Sequence, residues 1–144
     1  MAEQRAVIDI AAPVEEVWQV VSNVETWPEW MEEVTSVTTT TPAGGVGAQY
    51  DLDQGAAGLG IPLRVRVVTA DAPSLFVVEQ RSTGITTLAT YRVSAVDARI
   101  TRVESTLASR GTVSAAVGTV LGGSYTRMLE SSLDALKRRC ERLV

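Results

Sequence analysis

The sequence predicts an α+β fold in which a curved, seven-stranded antiparallel sheet carries its helices on a single face and wraps around a long C-terminal helix. Three observations predict it. From Glu33 to Ser109 the chain is rich in Val and Thr and broken by turn residues at intervals suited to a meander of strands. After Arg110-Gly111 the apolar residues switch to a helical period. Only two short helical pieces interrupt the strands, and both fall between the first and the second.

Taken in order, Gln4 to Ile10 (QRAVIDI) reads as the first strand. Pro13 presets the backbone for a helix entry, and Glu15 and Glu16 follow near the positive end of its dipole. Val14, Val17, Trp18 and Val21 then share one helical face, and the helix is expected to end near Ser22-Asn23. The segment Val24 to Met31, VETWPEWM, holds two of the three tryptophans in a chain with only seven aromatic residues. Pro28 disfavours the α conformation at Trp27, so at most one turn, starting at Pro28, is expected here.

Strands are expected near Glu33 to Thr41, Ala48 to Gln54, Ile61 to Ala70, Leu75 to Arg81, Thr86 to Val96 and Ile100 to Ser109. Asp71-Ala72-Pro73-Ser74 and Val96-Asp97-Ala98-Arg99 are tight-turn sequences, whereas Pro42 to Gly47 and Gly55 to Gly60 read as longer, mobile glycine-rich loops. In the final helix, expected from about Ala115 to Leu143, Leu121, Tyr125, Met128, Leu129, Ser132, Leu136, Cys140 and Leu143 share one face. Arg127, Glu130, Asp134, Lys137 and Glu141 lie opposite. Gly118, Gly122 and Gly123 either mark a late helix start or leave room beneath it for a ligand or a hinge.

Composition narrows the chemistry. There is no histidine and a single cysteine, so common zinc and haem ligand sets, an internal disulfide and a histidine-activated nucleophile are all excluded. No metal and no cofactor are expected. A net charge of -4 removes the positive field that gives nonspecific nucleic-acid affinity, so no nucleic-acid partner is expected. The basic cluster Lys137-Arg138-Arg139 suits the C-terminal end of a helix. No apolar run approaches the roughly 18 residues of a membrane span, and MAEQRAVIDIAAP lacks the pattern of a signal peptide. A cytoplasmic protein of one domain, residues 1–144, monomeric or homodimeric, is expected. Twelve arginines against one lysine suggest a GC-rich bacterial genome.

Together with this order of elements, the opening Ile8-Asp9-Ile10-Ala11-Ala12-Pro13-Val14-Glu15-Glu16-Val17-Trp18, the Trp27-Pro28-Glu29-Trp30 corner, Thr101-Arg102-Val103 after a tight turn, and Leu133-Asp134-Ala135-Leu136-Lys137 resemble the START-like, or SRPBCC, superfamily of polyketide cyclases/dehydrases and lipid transport proteins with the Bet v 1-like fold. The likeness spans essentially the whole chain. It implies a helix-grip fold whose last helix closes a deep hydrophobic pocket, and hence binding or transport of a lipid, isoprenoid or polyketide-like molecule. The alternative it implies is a cyclase, aromatase or dehydratase working in the same pocket without metal or histidine.

Within that pocket the expected ligand-binding residues are Trp30, Tyr50, Leu52, Phe76, Tyr91, Leu121, Tyr125 and Met128; no catalytic residue is singled out. Trp27 is expected to anchor the corner and Trp30 to line the pocket mouth. The strand charges Asp51, Asp53, Arg66, Glu79, Arg81 and Arg92 decide between the two readings. Inside, they orient an enolate; outside, Arg64 and Arg66 simply pair with carboxylates such as Glu79 or Glu104.

Overall fold

The computed structural model describes the backbone except at residues 1, 32–33, 41–44, 57–58, 83–84, 111–113 and 143–144, and the side chains except at those positions and at 2, 54–61, 85, 110 and 114–125. Its elements run β1 (Ala2–Ile10), α1 (Val14–Ser22), a 3₁₀ helix (Val24–Glu29), β2 (Val34–Thr39), β3 (Gln49–Ala56), β4 (Leu59–Asp71), β5 (Leu75–Ser82), β6 (Ile85–Ala95), β7 (Thr101–Arg110) and α2 (Ser114–Glu141). The seven strands form one antiparallel sheet in the order β1-β7-β6-β5-β4-β3-β2. It is the expected α+β helix-grip arrangement, a meander from β2 to β7 with β1 added beside β7.

Alternation along each strand separates an inner face from an outer one. Ala6 and Ile10 on β1, Tyr50 and Leu52 on β3, Val65 and Val67 on β4, and Phe76 and Val78 on β5 point inward and are buried. So are Ala89, Tyr91 and Val93 on β6 and Val103 on β7. Register locks these into rows: Phe76 faces Tyr91, Val78 faces Ala89 and Val93 faces Val103. A slip of one residue exposes a whole row, so the burial pattern itself fixes the pairing.

The helix entry follows from Pro13. It is held extended at φ -62° and ψ 150°, and its carbonyl accepts from the amides of Glu16 and Val17. Val17, Val20 and Val21 bury the inner face of α1. The Thr101 hydroxyl donates to the Ala12 carbonyl at 2.7 Å, tying the start of β7 to the loop before α1.

Three expectations about local structure are corrected. The 3₁₀ helix begins at Val24, four residues before Pro28, which lies inside it. The Thr26 amide donates to the Asn23 carbonyl, and the Trp30 amide to the Trp27 carbonyl. Proline removes one donor from such a short run without stopping it. Gly55 to Gly60 is mostly two strand ends, since Gly55 pairs with Gly60 and Ala56 with Leu59. The earlier glycine-rich segment does contain special backbone: Gly45 and Gly47 have φ of 96° and 90°, which side-chain-bearing residues rarely adopt.

The third correction concerns α2. Its 28 residues begin at Ser114, so Gly118, Gly122 and Gly123 lie within the helix and do not mark a late start. Leu129, Leu133, Leu136 and Cys140 bury its inner stripe, and the helix packs on β1 and β7. Lys137 and Glu141, expected on the solvent side, instead grip the end of β1. Lys137 Nζ donates to the Asp9 carbonyl at 3.1 Å and to Glu141 at 2.6 Å, and Glu141 accepts from the Ala11 amide at 2.8 Å. The two side chains thereby tie the last turns of α2 to the end of β1 and to the residue just after it. Among the described residues, no helix is long and apolar enough to cross a membrane.

Candidate functional site

The tryptophan corner places its two indoles against the centre of the inner face. Trp27 lies 6.4 Å from Phe76 and 6.2 Å from Tyr91 between ring centroids, and Trp30 lies 6.4 Å from Tyr91. The two indoles meet edge to face at 6.4 Å, and Trp18 of α1 adds an edge contact to Phe76 at 6.0 Å. Such geometries match positive ring edges to negative faces. Five of the seven aromatic residues thus form one cluster joining α1, the 3₁₀ helix, β5 and β6.

The two indoles differ in hydrogen bonding, not in exposure. Trp27 is 0% exposed and Trp30 3% exposed. Trp27 Nε1 donates to the Val21 carbonyl at 3.0 Å. That carbonyl lies in the last turn of α1, where no later helical amide reaches it, so the indole acts as a side-chain cap. Trp30 Nε1 is buried and has no hydrogen-bond partner among the described residues.

Of the remaining expected ligand residues, Tyr50, Leu52, Phe76 and Tyr91 are buried on the inner face, and Met128 is half-buried on α2. Burial holds the Tyr50 phenol above its ordinary pKa, with a smaller push from the Glu25 carboxylate. It therefore stays neutral and able to donate throughout the physiological range. The side chains of Leu121 and Tyr125 lie outside the described residues.

Towards the other end of the inner face the rows change character. Gln80 pairs with Thr87, and Thr87 with Ser109. All three are half-buried, as are Leu63, Leu107 and Met128. The hydroxyls of Thr87 and Ser109 lie 3.4 Å apart, and Thr126 of α2 donates to Gln4 of β1 at 2.8 Å. These polar inner-face residues were missed in the sequence reading. The signal was present, because each sits two residues from an apolar inner-face position: Gln80 from Val78, Thr87 from Ala89 and Ser109 from Leu107.

The strand charges lie on the opposite face. Arg64 pairs with Asp51 at 3.3 Å, Arg81 with Glu79 at 2.9 Å and Arg66 with Glu79 at 3.7 Å. Asp53 accepts from Ser36 on the neighbouring strand at 2.9 Å. Glu104 is taken by Arg5 at 2.7 Å rather than by a β4 arginine. The basic cluster of α2 is used locally too, Arg139 reaching Glu29 of the 3₁₀ helix at 2.7 Å. Between these two helices a groove of about 190 Å³ is lined by Pro28, Trp30, Ala135 and Arg138 among others.

Cys140 is sealed in the α2 core. Burial, chiefly, pushes its thiol up to about 11, so it is a protonated packing group and not a nucleophile at neutral pH.

With this geometry the comparisons agree. The sequence model of the family described as polyketide cyclase / dehydrase and lipid transport matches residues 1–141. Among solved structures, a START superfamily protein from Mycobacterium smegmatis has a TM-score of 0.81 at 17% identity, with 100% of both chains covered. The Zhui aromatase/cyclase from Streptomyces sp. R1128 has a TM-score of 0.80 at 18% identity, covering 97% of this chain and 93% of that one. Norcoclaurine synthase from Thalictrum flavum, in complex with dopamine and hydroxybenzaldehyde, has a TM-score of 0.72 at 16% identity, covering 94% of this chain and 84% of that one. At such identities the likeness carries the fold alone. No curated protein matches by sequence.

Proposed function

The chain belongs to the polyketide cyclase/dehydrase and lipid transport family, and from that premise we propose that it binds an apolar small molecule between the inner face of the sheet and α2, as a carrier and not as a catalyst. Family and fold support ligand binding or cyclase-like chemistry in general. The observation that favours the carrier is the distribution of charge across the sheet. Asp53, Arg66 and Glu79, the groups on which an enolate-stabilising site depended, face outward and are engaged with strand neighbours.

What the inner face offers is apolar area with neutral polar groups: the phenols of Tyr50 and Tyr91, the amide of Gln80 and the hydroxyls of Thr87 and Ser109. Such groups orient a ligand without supplying a strong acid or base. The half-buried row of Gln80, Thr87 and Ser109, with Leu107 in the row beside it, is where ligand contact begins, and the aromatic cluster bounds the site on the other side. Trp30, Tyr50, Leu52, Phe76, Tyr91, Leu121, Tyr125 and Met128 are proposed as its lining.

Native mass spectrometry of gently purified protein, followed by melting-temperature titration against a panel of lipids, isoprenoids and aromatic polyketides, tests this reading. Retained apolar mass, or a concentration-dependent rise in melting temperature, is expected. The carrier reading fails if no member of the panel binds. It fails equally if a ketone-rich member is converted to a cyclised or dehydrated product.

A further inference from the structure

We propose that the Trp30 indole N–H is the specificity determinant of this site, selecting planar apolar ligands that carry a hydrogen-bond acceptor oxygen, such as an aryl ketone, over hydrocarbons of the same shape. The inference deepens the binding reading above and rests on it. Its basis is a contrast within one short segment. Trp27 and Trp30 stand three residues apart and are buried to nearly the same degree, yet among the described residues the Trp27 indole nitrogen has an acceptor and the Trp30 nitrogen has none.

A buried donor without an acceptor is uncommon and costly, so its presence in a well-packed cluster needs a reason. Two alternatives to a ligand are weak. A resident water requires room and several polar partners, whereas the Trp30 nitrogen is sealed and its ring neighbours are Trp27 and Tyr91. A purely packing role is served better by phenylalanine, which fills an aromatic cluster without bringing a donor.

The position suits selection. Trp30 touches Tyr91 of the sheet and lines the groove that separates the 3₁₀ helix from α2, so its ring borders the sheet, the 3₁₀ helix and α2. Because the nitrogen is already stripped of water, an acceptor oxygen that reaches it displaces no hydration from the protein. A hydrocarbon in the same place leaves the donor unmade. The ring contacts around the nitrogen must part for the oxygen to enter, so binding is coupled to a small rearrangement of the cluster.

The test uses a matched pair of probes, 2-acetylnaphthalene and 2-ethylnaphthalene, which differ by a carbonyl in place of a methylene. Affinities are measured for the wild type, Trp30→Phe and Trp27→Phe, and the indole N–H resonances of the wild type are followed by NMR. The ratio of ketone to hydrocarbon affinity is expected to fall about tenfold in Trp30→Phe and to be unchanged in Trp27→Phe. The Trp30 indole resonance of the wild type is expected to move downfield with the ketone only. If both probes bind, but the ratio is the same in all three proteins and the Trp30 resonance is indifferent to the carbonyl, the selector role is wrong while ligand binding stands. If neither probe binds the wild type at its solubility limit, this inference falls, while the binding reading stands or falls with the panel of lipids, isoprenoids and polyketides.

Discussion

Replacing either corner tryptophan by phenylalanine removes the same atoms from the same cluster, yet the structure predicts different stabilities. Trp27 and Trp30 are both buried, so the transfer and cavity costs of trimming an indole to a phenyl ring largely cancel in the comparison. What does not cancel is the nitrogen. Trp27→Phe breaks the 3.0 Å bond to the Val21 carbonyl and strands that acceptor at the buried end of α1, at a cost of about 1–3 kcal/mol. Trp30→Phe deletes a donor that has no partner among the described residues, which relieves a penalty of the same kind. The two variants should therefore differ by about 2 kcal/mol or more, the Trp30 variant being the more stable. For a domain near 150 residues that is about 4–8 °C in melting temperature. Urea unfolding followed by circular dichroism, checked by calorimetry, measures it. Equal midpoints, or a Trp27 variant more stable than the Trp30 variant, refute the assignment of one indole as a cap and the other as an unused donor.

Three further outcomes follow from the same geometry. The Cys140 thiol should resist alkylation at pH 8 except through unfolding; because its folded pKa of about 11 lies above the unfolded value of 9.0, stability should fall as pH rises from 9 to 11, an effect that Cys140→Ala removes. The Lys137 ammonium and the Ala11 amide hold the Glu141 carboxyl below its ordinary range, so its contribution is present above the unfolded pKa of 4.5 and is lost as pH falls through the lower folded value. Glu141→Gln should cost about 0.5–1 kcal/mol at pH 7 and less at pH 3, read from urea midpoints. Arg66→Gln, on the outer face, should change stability by less than about 0.5 kcal/mol and leave ligand titrations unchanged; a large loss of affinity would place Arg66 inside the site.

Much of the fold was legible in the sequence because its strands are punctuated plainly and its helices carry clean apolar stripes. Pro13 and Val14, Val17, Trp18 and Val21 mark α1, and Leu129, Leu136 and Cys140 mark α2, without reference to tertiary contacts. Less legible were features set by pairing. Gly55 to Gly60 has loop composition, yet the register of β3 on β4 draws Gly55 and Gly60 opposite each other as strand. Lys137 and Glu141 fall on the polar side of the helical wheel, and only the proximity of the end of β1 turns them into a clasp.

For the site, the aromatic residues were legible because they are so few, but two questions lay beyond periodicity. Alternation along β4 separates Arg64 and Arg66 from Val65 and Val67 without saying which pair faces in; contact of Trp27 with Phe76 and Tyr91 settles which face is inner. Nor does VETWPEWM reveal that Trp27 bonds and Trp30 does not, since the difference depends on where α1 ends and exposes the Val21 carbonyl. Gln80, Thr87 and Ser109 were passed over because the two-residue spacing from Val78, Ala89 and Leu107, although present in the sequence, shows a shared face only once the alternation is followed to the polar end of each strand.

Ligand binding on the inner face is tested most directly by mapping backbone amide shifts on titration with 2-acetylnaphthalene. Perturbations are predicted to gather along Gln80, Thr87, Ala89, Tyr91 and Leu107 on the inner face, leaving the exposed outer-face positions Val7, Val68 and Arg92 unmoved. Perturbations confined to the outer face, or none up to saturation of the probe, would contradict the account.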